Sequence, residues 1–460
     1  MAGSEGHRGN WGSKLAFIFA ASGSAIGLGS LWRFPLYTGR NGGAVFVFTY
    51  VIAVFFIGFT VMLVELTIGG HAQKNPVGAF EYIKPGSAWK FVGYLGVLSG
   101  VAILSFYGVI AGWSTGYFYK TVVGAFPSEI SWDESAALFG SFVANPVAVL
   151  SCLVVTIAIT SFVISKGVKD GIERWSKILM PVLFVLVIVM AIRALMLPGA
   201  KAGLVFYLKP DLSGLTPSVV FYAVGQAFFS LSLGMGTMMT YGSYLDRKDN
   251  LVSSAGWVCF STTFVAILAG IIIFPTLFDT LNLTSETFTQ QFEVDTGLMF
   301  QVFPIIISQM PGGYFFGVGF FTLLLIAALT STISMLEVPT AYLVDERGWS
   351  RTKASYSLGA VAFVFGVPAA LSAGGSEFFT NMDFLGKMDL VFGNISLAVG
   401  GLFMCLFVAY IWKFKNVFAE IANGNKNFWL RPIWTFNVAV TAPIAVIAIL
   451  TAIFWRMFTG

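Results

Sequence analysis

Long apolar runs alternate along this chain with short polar connections. Eleven runs are long enough to cross a bilayer as helices, which takes about 20 residues each. They lie near residues 13–37, 43–69, 89–123, 146–164, 174–197, 217–244, 253–278, 313–344, 354–373, 384–411 and 433–457. The pattern predicts an all-α integral membrane protein with a polar segment, 1–12, ahead of the first span. The longest connection, 279–312, is amphipathic and acidic: it carries Asp279, Glu286, Glu293 and Asp295 and no Lys or Arg. It is expected to lie outside the membrane.

Two spans are interrupted. Span one contains Gly23-Ser24-Ala25-Ile26-Gly27-Leu28-Gly29-Ser30, followed by Leu31-Trp32-Arg33-Phe34-Pro35, and span six contains Ser230-Leu231-Ser232-Leu233-Gly234-Met235-Gly236-Thr237. A glycine inside a helix costs about 1 kcal/mol relative to alanine. In lipid, a backbone group left unpaired costs several kcal/mol more. Such stretches persist at membrane depth where the freed groups meet protein, water or a solute. Two of them at the starts of two five-span sets point to an inverted repeat, 13–197 and 217–411, with its site at the midplane and an additional helix at 433–457. Leu28 and Gly29 open the outer half of span one, where free amides and a positive helix end suit a carboxylate.

Composition narrows the class. Of 460 residues, 57% are hydrophobic and 10% charged, against about 25% charged in soluble domains. The net charge of +4 lies in the loops and implies no nucleic-acid partner; the lipid bilayer is the expected surrounding. Cys152, Cys259 and Cys405 sit in apolar runs without metal-ligand spacing, and His7 and His71 lie in polar flanks with no nucleophile–base arrangement, so an enzyme is not expected. Basic residues gather in the connections after spans two, four, six, eight and ten, which places these and the N-terminus in the cytoplasm. An odd span count then puts the C-terminus outside. No cleavable signal pattern precedes span one, and a bacterial-type inner (plasma) membrane is expected.

Five stretches, NWGSKLAFIFAASGSAIGLGSLWRFP, NGGAVFVFTYVIAVFFIGFTVMLVELTIG, KGVKDGIERWSKILMP, GQAFFSLSLGMG and LTSTISMLEVPTAYLVDE, strongly resemble the neurotransmitter:sodium symporter family. The resemblance runs from Arg8 to about span ten. It implies the leucine-transporter-type fold, a 5+5 inverted repeat with discontinuous helices 1 and 6, and sodium-coupled uptake of a small zwitterionic amino acid by alternating access. It also implies a residue-by-residue site. Tyr107 joins Leu28 and Gly29 at the substrate carboxylate; the carbonyls of Ser24 and Ala25, with Phe229, Ser230 and Ser232, receive the ammonium. Gly27 stands where the monoamine branch carries an aspartate, and it leaves room there. Ile103, Phe229, Met235, Ser331 and Met335 would line the side-chain pocket.

For sodium, hard cations take oxygen ligands, and Thr330, Ser331 and the carbonyls of Gly23, Ile26 and Ala327 match the family's second ion site. The first ion site departs from the family. Serines Ser30 and Ser261 stand where asparagines are usual, beside Ala25 and Ser230, so this site is expected to be weak, remodelled or absent. Val265 replaces the acid or serine near the chloride position, whereas Tyr50 and Gln226 are retained, which leaves chloride dependence open. The outer gate would pair Arg33 with Asp389 (Asp383 competing), under a lid of Phe229 and Tyr107. The inner gate would pair Arg8 with Asp345, supported by Trp11, Ser243 and Tyr244. Glu65 is expected to brace the unwound part of span six, and Pro181 to let span five unwind when the site opens inward. The alternatives are a symporter for a β-amino acid, amino sulfonate or betaine, and a sensor or channel of the same fold.

Overall fold

The structure, a computed structural model, describes residues 9–127, 129–209, 211–281, 283 and 297–459. Among the described residues it is helical throughout, without strands. Nine helices among these residues are long and apolar enough to cross a membrane: Ala44–Ala72, Lys90–Val122, Pro146–Ser165, Val168–Leu195, Leu251–Thr280, Gly313–Arg347, Arg351–Leu371, Phe384–Gly424 and Arg431–Ile453. Span one is the bent pair Lys14–Ala25 and Gly29–Arg40, turned by 48°. Span six is the pair Pro217–Ser230 and Thr237–Gly242, parted by residues 231–236. The eleven spans therefore stand where the hydropathy pattern puts them.

Local sequence sets the helix starts. The side chains of Ser13, Asn145, Thr216, Asn250 and Ser350 each accept an amide of the first turn, and Pro146 and Pro217 follow their caps directly. Such caps pair donors that the helix leaves unsatisfied. Span three packs along span eight, span four on span nine, and span five on span seven. Glycines of span three make close contacts: Gly100 lies against the Met335 carbonyl of span eight, and Gly96 against that of Met235 in the span six break.

Three features add to the hydropathy reading. Span ten runs through π-helical turns at Asp389–Ser396 and Phe407–Lys413, and the backbone turns at Lys413 (φ 70°) before a further helix, Phe414–Gly424. In the acidic connection, Leu298–Gln309 is a helix whose apolar face is buried, with Phe300 stacked on Phe139 of the helix Trp132–Val143 at 5.7 Å. Glu286, Glu293 and Asp295 lie outside the described residues, and Asp279 accepts the Gly199 amide. Finally, Pro181 sits inside the helix Arg174–Leu195. A π-helical stretch, Val168–Glu173, ends about two turns before it.

Candidate functional site

The two interruptions face one another. The inner helix of span one stops at Ala25, where the Ile26 amide still reaches the Ser22 carbonyl (2.7 Å). The chain resumes as a π turn, Gly29–Arg33, after the Ser30 amide bonds the Gly27 carbonyl. In span six the break runs through left-handed backbone at Ser232, Gly234 and Gly236 (φ 53°, 89° and 78°). Glycine is required at 234, because a Cβ there would lie 2.0 Å from the Leu397 carbonyl oxygen. The buried Glu65 carboxylate braces this break by accepting the amides of Gly234 (2.6 Å) and Met239 (3.3 Å). Glu65→Ala strands both amides, each worth about 1–3 kcal/mol when left unpaired. A marked drop in thermal unfolding temperature in detergent is the expected result.

Around the first break the expected substrate residues converge. The Leu28 amide donates to the Tyr107 hydroxyl at 2.8 Å. The ring of Phe229 lies over Gly29, 3.0 Å from where its Cβ would be. Gln226 Nε2 donates to the Gly29 carbonyl (2.7 Å), and Tyr50 and Ser230 share a hydroxyl–hydroxyl bond of 2.9 Å. The Ser24 carbonyl accepts the hydroxyls of Ser331 (2.9 Å) and Ser232 (3.1 Å). Ile103, Met235 and Met335 are buried. The room expected beside Gly27 is not there: a Cβ would sit 1.9 Å from Ser331 Oγ and 2.6 Å from the Tyr107 hydroxyl. These two side chains fill the space that an aspartate would need.

The oxygen-rich region on the other side of the inner helix end joins spans one, five and eight. Gly23 packs on Thr330 and on Met180, whose sulfur would be 2.9 Å from its Cβ. Thr330 Oγ1 donates to the carbonyls of Ile326 and Ala327 (3.1 Å each). Ile26, three residues after Gly23, is buried. The donors present are carbonyls and hydroxyls, the chemistry a hard monovalent cation takes. Ser331 turns its hydroxyl toward Ser24 and Gly27, so Thr330 alone of the pair packs on Gly23.

The first-ion positions fare differently. Ser30 Oγ does reach the Ala25 carbonyl, at 3.3 Å. Ser261 is not directed inward: it is half-buried, within the stripe of Trp257, Phe260 and Phe264, which are 53%, 51% and 37% exposed. Each helix step turns the side chain by about 100°, and the next residue, Thr262, is the fully buried one.

Toward the end opposite the basic connections, Arg33 bonds Asp389 (3.3 Å), Asn394 (3.0 Å) and Tyr37 (3.3 Å), and lies 3.9 Å over the Phe229 ring. Asp383 is excluded as its partner, since it caps the exposed helix Phe384–Met388 through the Gly386 amide. Above lies a vestibule of ≈ 330 Å³ lined by Tyr37, Phe221, Tyr222, Asp389 and Asn394. At the basic end, Trp11 is buried, donating from its indole to the Tyr241 carbonyl (2.9 Å) and from its amide to that of Tyr244 (3.1 Å). Arg8 lies outside the described residues; Asp345 accepts from the Asn75 amide and side chain.

Two further ion pairs, of four charged residues, lie at this end. Glu337 accepts the Tyr244 hydroxyl (2.6 Å) and pairs with Arg351. Glu173 accepts the Gly12 amide (2.8 Å) and pairs with Lys177. Glu337 was open to notice as an acid within an apolar span, where such groups mark function or pairing. Both ends of the path are thus covered, by Arg33 and Phe229 on one side and by Trp11 on the other.

The model of the sodium:neurotransmitter symporter family matches residues 8–142 and 139–459. The chain belongs to that family. Among similar members, an uncharacterized sodium-dependent transporter of Bacillus subtilis is 36% identical over 450 residues, covering 95% of this chain and 96% of its own. Another, of Haemophilus influenzae, is 34% identical over 457 residues, covering 96% and 97%. Among solved structures, MhsT in complex with L-phenylalanine superposes with a TM-score of 0.88 at 40% identity, covering 97% of this chain and all of that one. This symporter is therefore a sodium-dependent, multi-pass membrane transporter with the leucine-transporter-type fold.

Proposed function

We propose that this symporter couples sodium entry to uptake of a small zwitterionic amino acid by alternating access. The observation that carries the reading is the Leu28 amide bonded to the Tyr107 hydroxyl at the mouth of the first break. A substrate carboxylate can take both donors together, with the Gly29 amide, and hydrogen bonds to a charged acceptor are the stronger kind. The ammonium is received by the Ser24 and Ala25 carbonyls with Phe229, Ser230 and Ser232. No acid stands at position 27, so the cationic end finds only neutral dipoles, which favours a zwitterion over a bare amine. Ile103, Met235, Ser331 and Met335 line the side-chain pocket, and the two methionines let it adapt to side chains of different size. A solved relative named for its complex with L-phenylalanine supports an amino acid.

Sodium binds at Gly23, Ile26, Ala327, Thr330 and Ser331. The first ion position, Ala25, Ser30 and Ser230, is weak or absent, because no side chain from Ser261 completes it. Val265 brings neither an acid nor a hydroxyl to the chloride position, and uptake with and without chloride decides whether that ion is required. Arg33–Asp389 closes the outer side, and Trp11, Tyr244 and Asp345 close the cytoplasmic side. The N-terminus is cytoplasmic and the C-terminus extracytoplasmic.

The test is uptake into proteoliposomes across a panel of α-amino acids, β-amino acids, taurine-like sulfonates and betaines, with and without sodium and chloride. Concentrative, sodium-dependent uptake of an α-amino acid is expected, and Tyr107→Phe should raise its half-saturating concentration by about 10- to 100-fold, the loss of one hydrogen bond to a charge. Preference for a β-amino acid, sulfonate or betaine would replace the substrate. Flux that never exceeds equilibrium would make the protein a channel or sensor.

A further inference from the structure

Ser334 lies in the middle of span eight and is fully buried. A serine inside a helix ordinarily returns its hydroxyl to the preceding turn, and Ser334 does so, donating to the Ser331 carbonyl at 2.9 Å. That bond uses its one proton and leaves its oxygen as an acceptor. Ser24, 310 residues earlier, donates to that oxygen at 2.6 Å. The Ser24 carbonyl in turn accepts Ser331 Oγ (2.9 Å) and Ser232 Oγ (3.1 Å), and Ser24 Oγ lies 3.2 Å from Ser232 Oγ. Every hydroxyl proton in this ring has an acceptor. The ring closes between the last turn of Lys14–Ala25, the break in span six, and span eight.

We infer that Ser334 is a positioning residue for sodium-coupled transport: through Ser24 it holds the end of the inner half of span one against span eight, and so sets the spacing between the Gly23 and Ile26 carbonyls and the Thr330 and Ser331 hydroxyls. The inference rests on the reading that sodium binds between these spans. Ser334 contributes no ligand itself. Its bond closes a path that spans one and eight must part along when the inner half of span one swings away, the motion alternating access requires. Because the ring lies in a dry interior, its bonds support one another.

The experiment is a sodium titration of uptake, with hydrogen–deuterium exchange of segment 14–25 in the full-length protein, for Ser334→Ala, Ser24→Ala, their double variant and Thr330→Ala. Ser334→Ala is expected to raise the half-maximal sodium concentration by about fivefold, the scale of one net hydrogen bond. The rate at saturating sodium should hold. Exchange in 14–25 should rise without sodium and fall back when sodium saturates. In the Ser24→Ala background Ser334→Ala should add nothing. An unchanged Ser334→Ala, or an additive double variant, beside a weakened Thr330→Ala overturns this inference alone. An unchanged Thr330→Ala overturns the ion-site reading and this inference with it. If Ser334→Ala does not fold, Ser334→Cys keeps the size with a weaker acceptor. It should give a smaller shift in the same direction, and parental behaviour would overturn the inference.

Discussion

Gly27→Ala is expected to cut uptake by about two orders of magnitude while the protein still folds and inserts. The added Cβ would lie 1.9 Å from Ser331 Oγ, 2.6 Å from the Tyr107 hydroxyl and 2.8 Å from Ser331 Cβ. A serine hydroxyl can rotate away, but its Cβ is fixed to the backbone of span eight. Spans one and eight must therefore separate, or Tyr107 must retreat from Leu28. Overpacking of this kind costs about 1–3 kcal/mol, which a large helical bundle survives. It falls, however, on the amide and hydroxyl proposed to receive the carboxylate. With those donors displaced, uptake should fall by about 100-fold, the loss of one or two hydrogen bonds to a charged group. Initial rates in proteoliposomes, alongside unfolding temperature in detergent, check both halves of the expectation. Parental uptake would remove the Leu28–Tyr107 region as the carboxylate site. Gly27→Asp should be at least as damaging, so this chain does not convert to an amine transporter by that single change.

Thr330→Ala combined with Ser331→Ala should raise the sodium concentration needed for half-maximal uptake by about 10-fold or more. A hard cation leaves its hydration shell only where protein oxygens replace it, and this pair supplies two of the five proposed ligands. Ser331 also donates to the Ser24 carbonyl at 2.9 Å, whereas Thr330 packs on Gly23. The single variants should therefore differ: Thr330→Ala changes the sodium requirement chiefly, and Ser331→Ala changes substrate affinity as well. A sodium titration at saturating substrate measures the first effect, and a substrate titration at saturating sodium the second. Unchanged sodium dependence in the double variant would leave the proposal without an ion site.

Much of this was open to reading along the chain, for definite reasons. Lipid supplies no hydrogen bonds, so Gly23–Ser30 and Ser230–Thr237 had to be interruptions that protein or cargo completes. The structure has breaks at both, with Glu65 bonded to the second. Arg33 and Asp389 were legible as costly charges inside apolar spans, and they meet at 3.3 Å.

What the sequence determined by itself was the number and placement of the spans, the two broken ones, and the residue types on offer at the breaks. These follow from local rules, namely hydrophobic length and the backbone's need for partners. The tertiary structure alone decided which atoms meet. It turned Ser261 out and Thr262 in, a matter of one helix step. Crowding by Ser331 and Tyr107 closed the space at Gly27, and Ser24 came to Ser334 across 310 residues. Side-chain direction and long-range contact depend on how helices rotate and pack against one another, and hydrophobic pattern does not encode that.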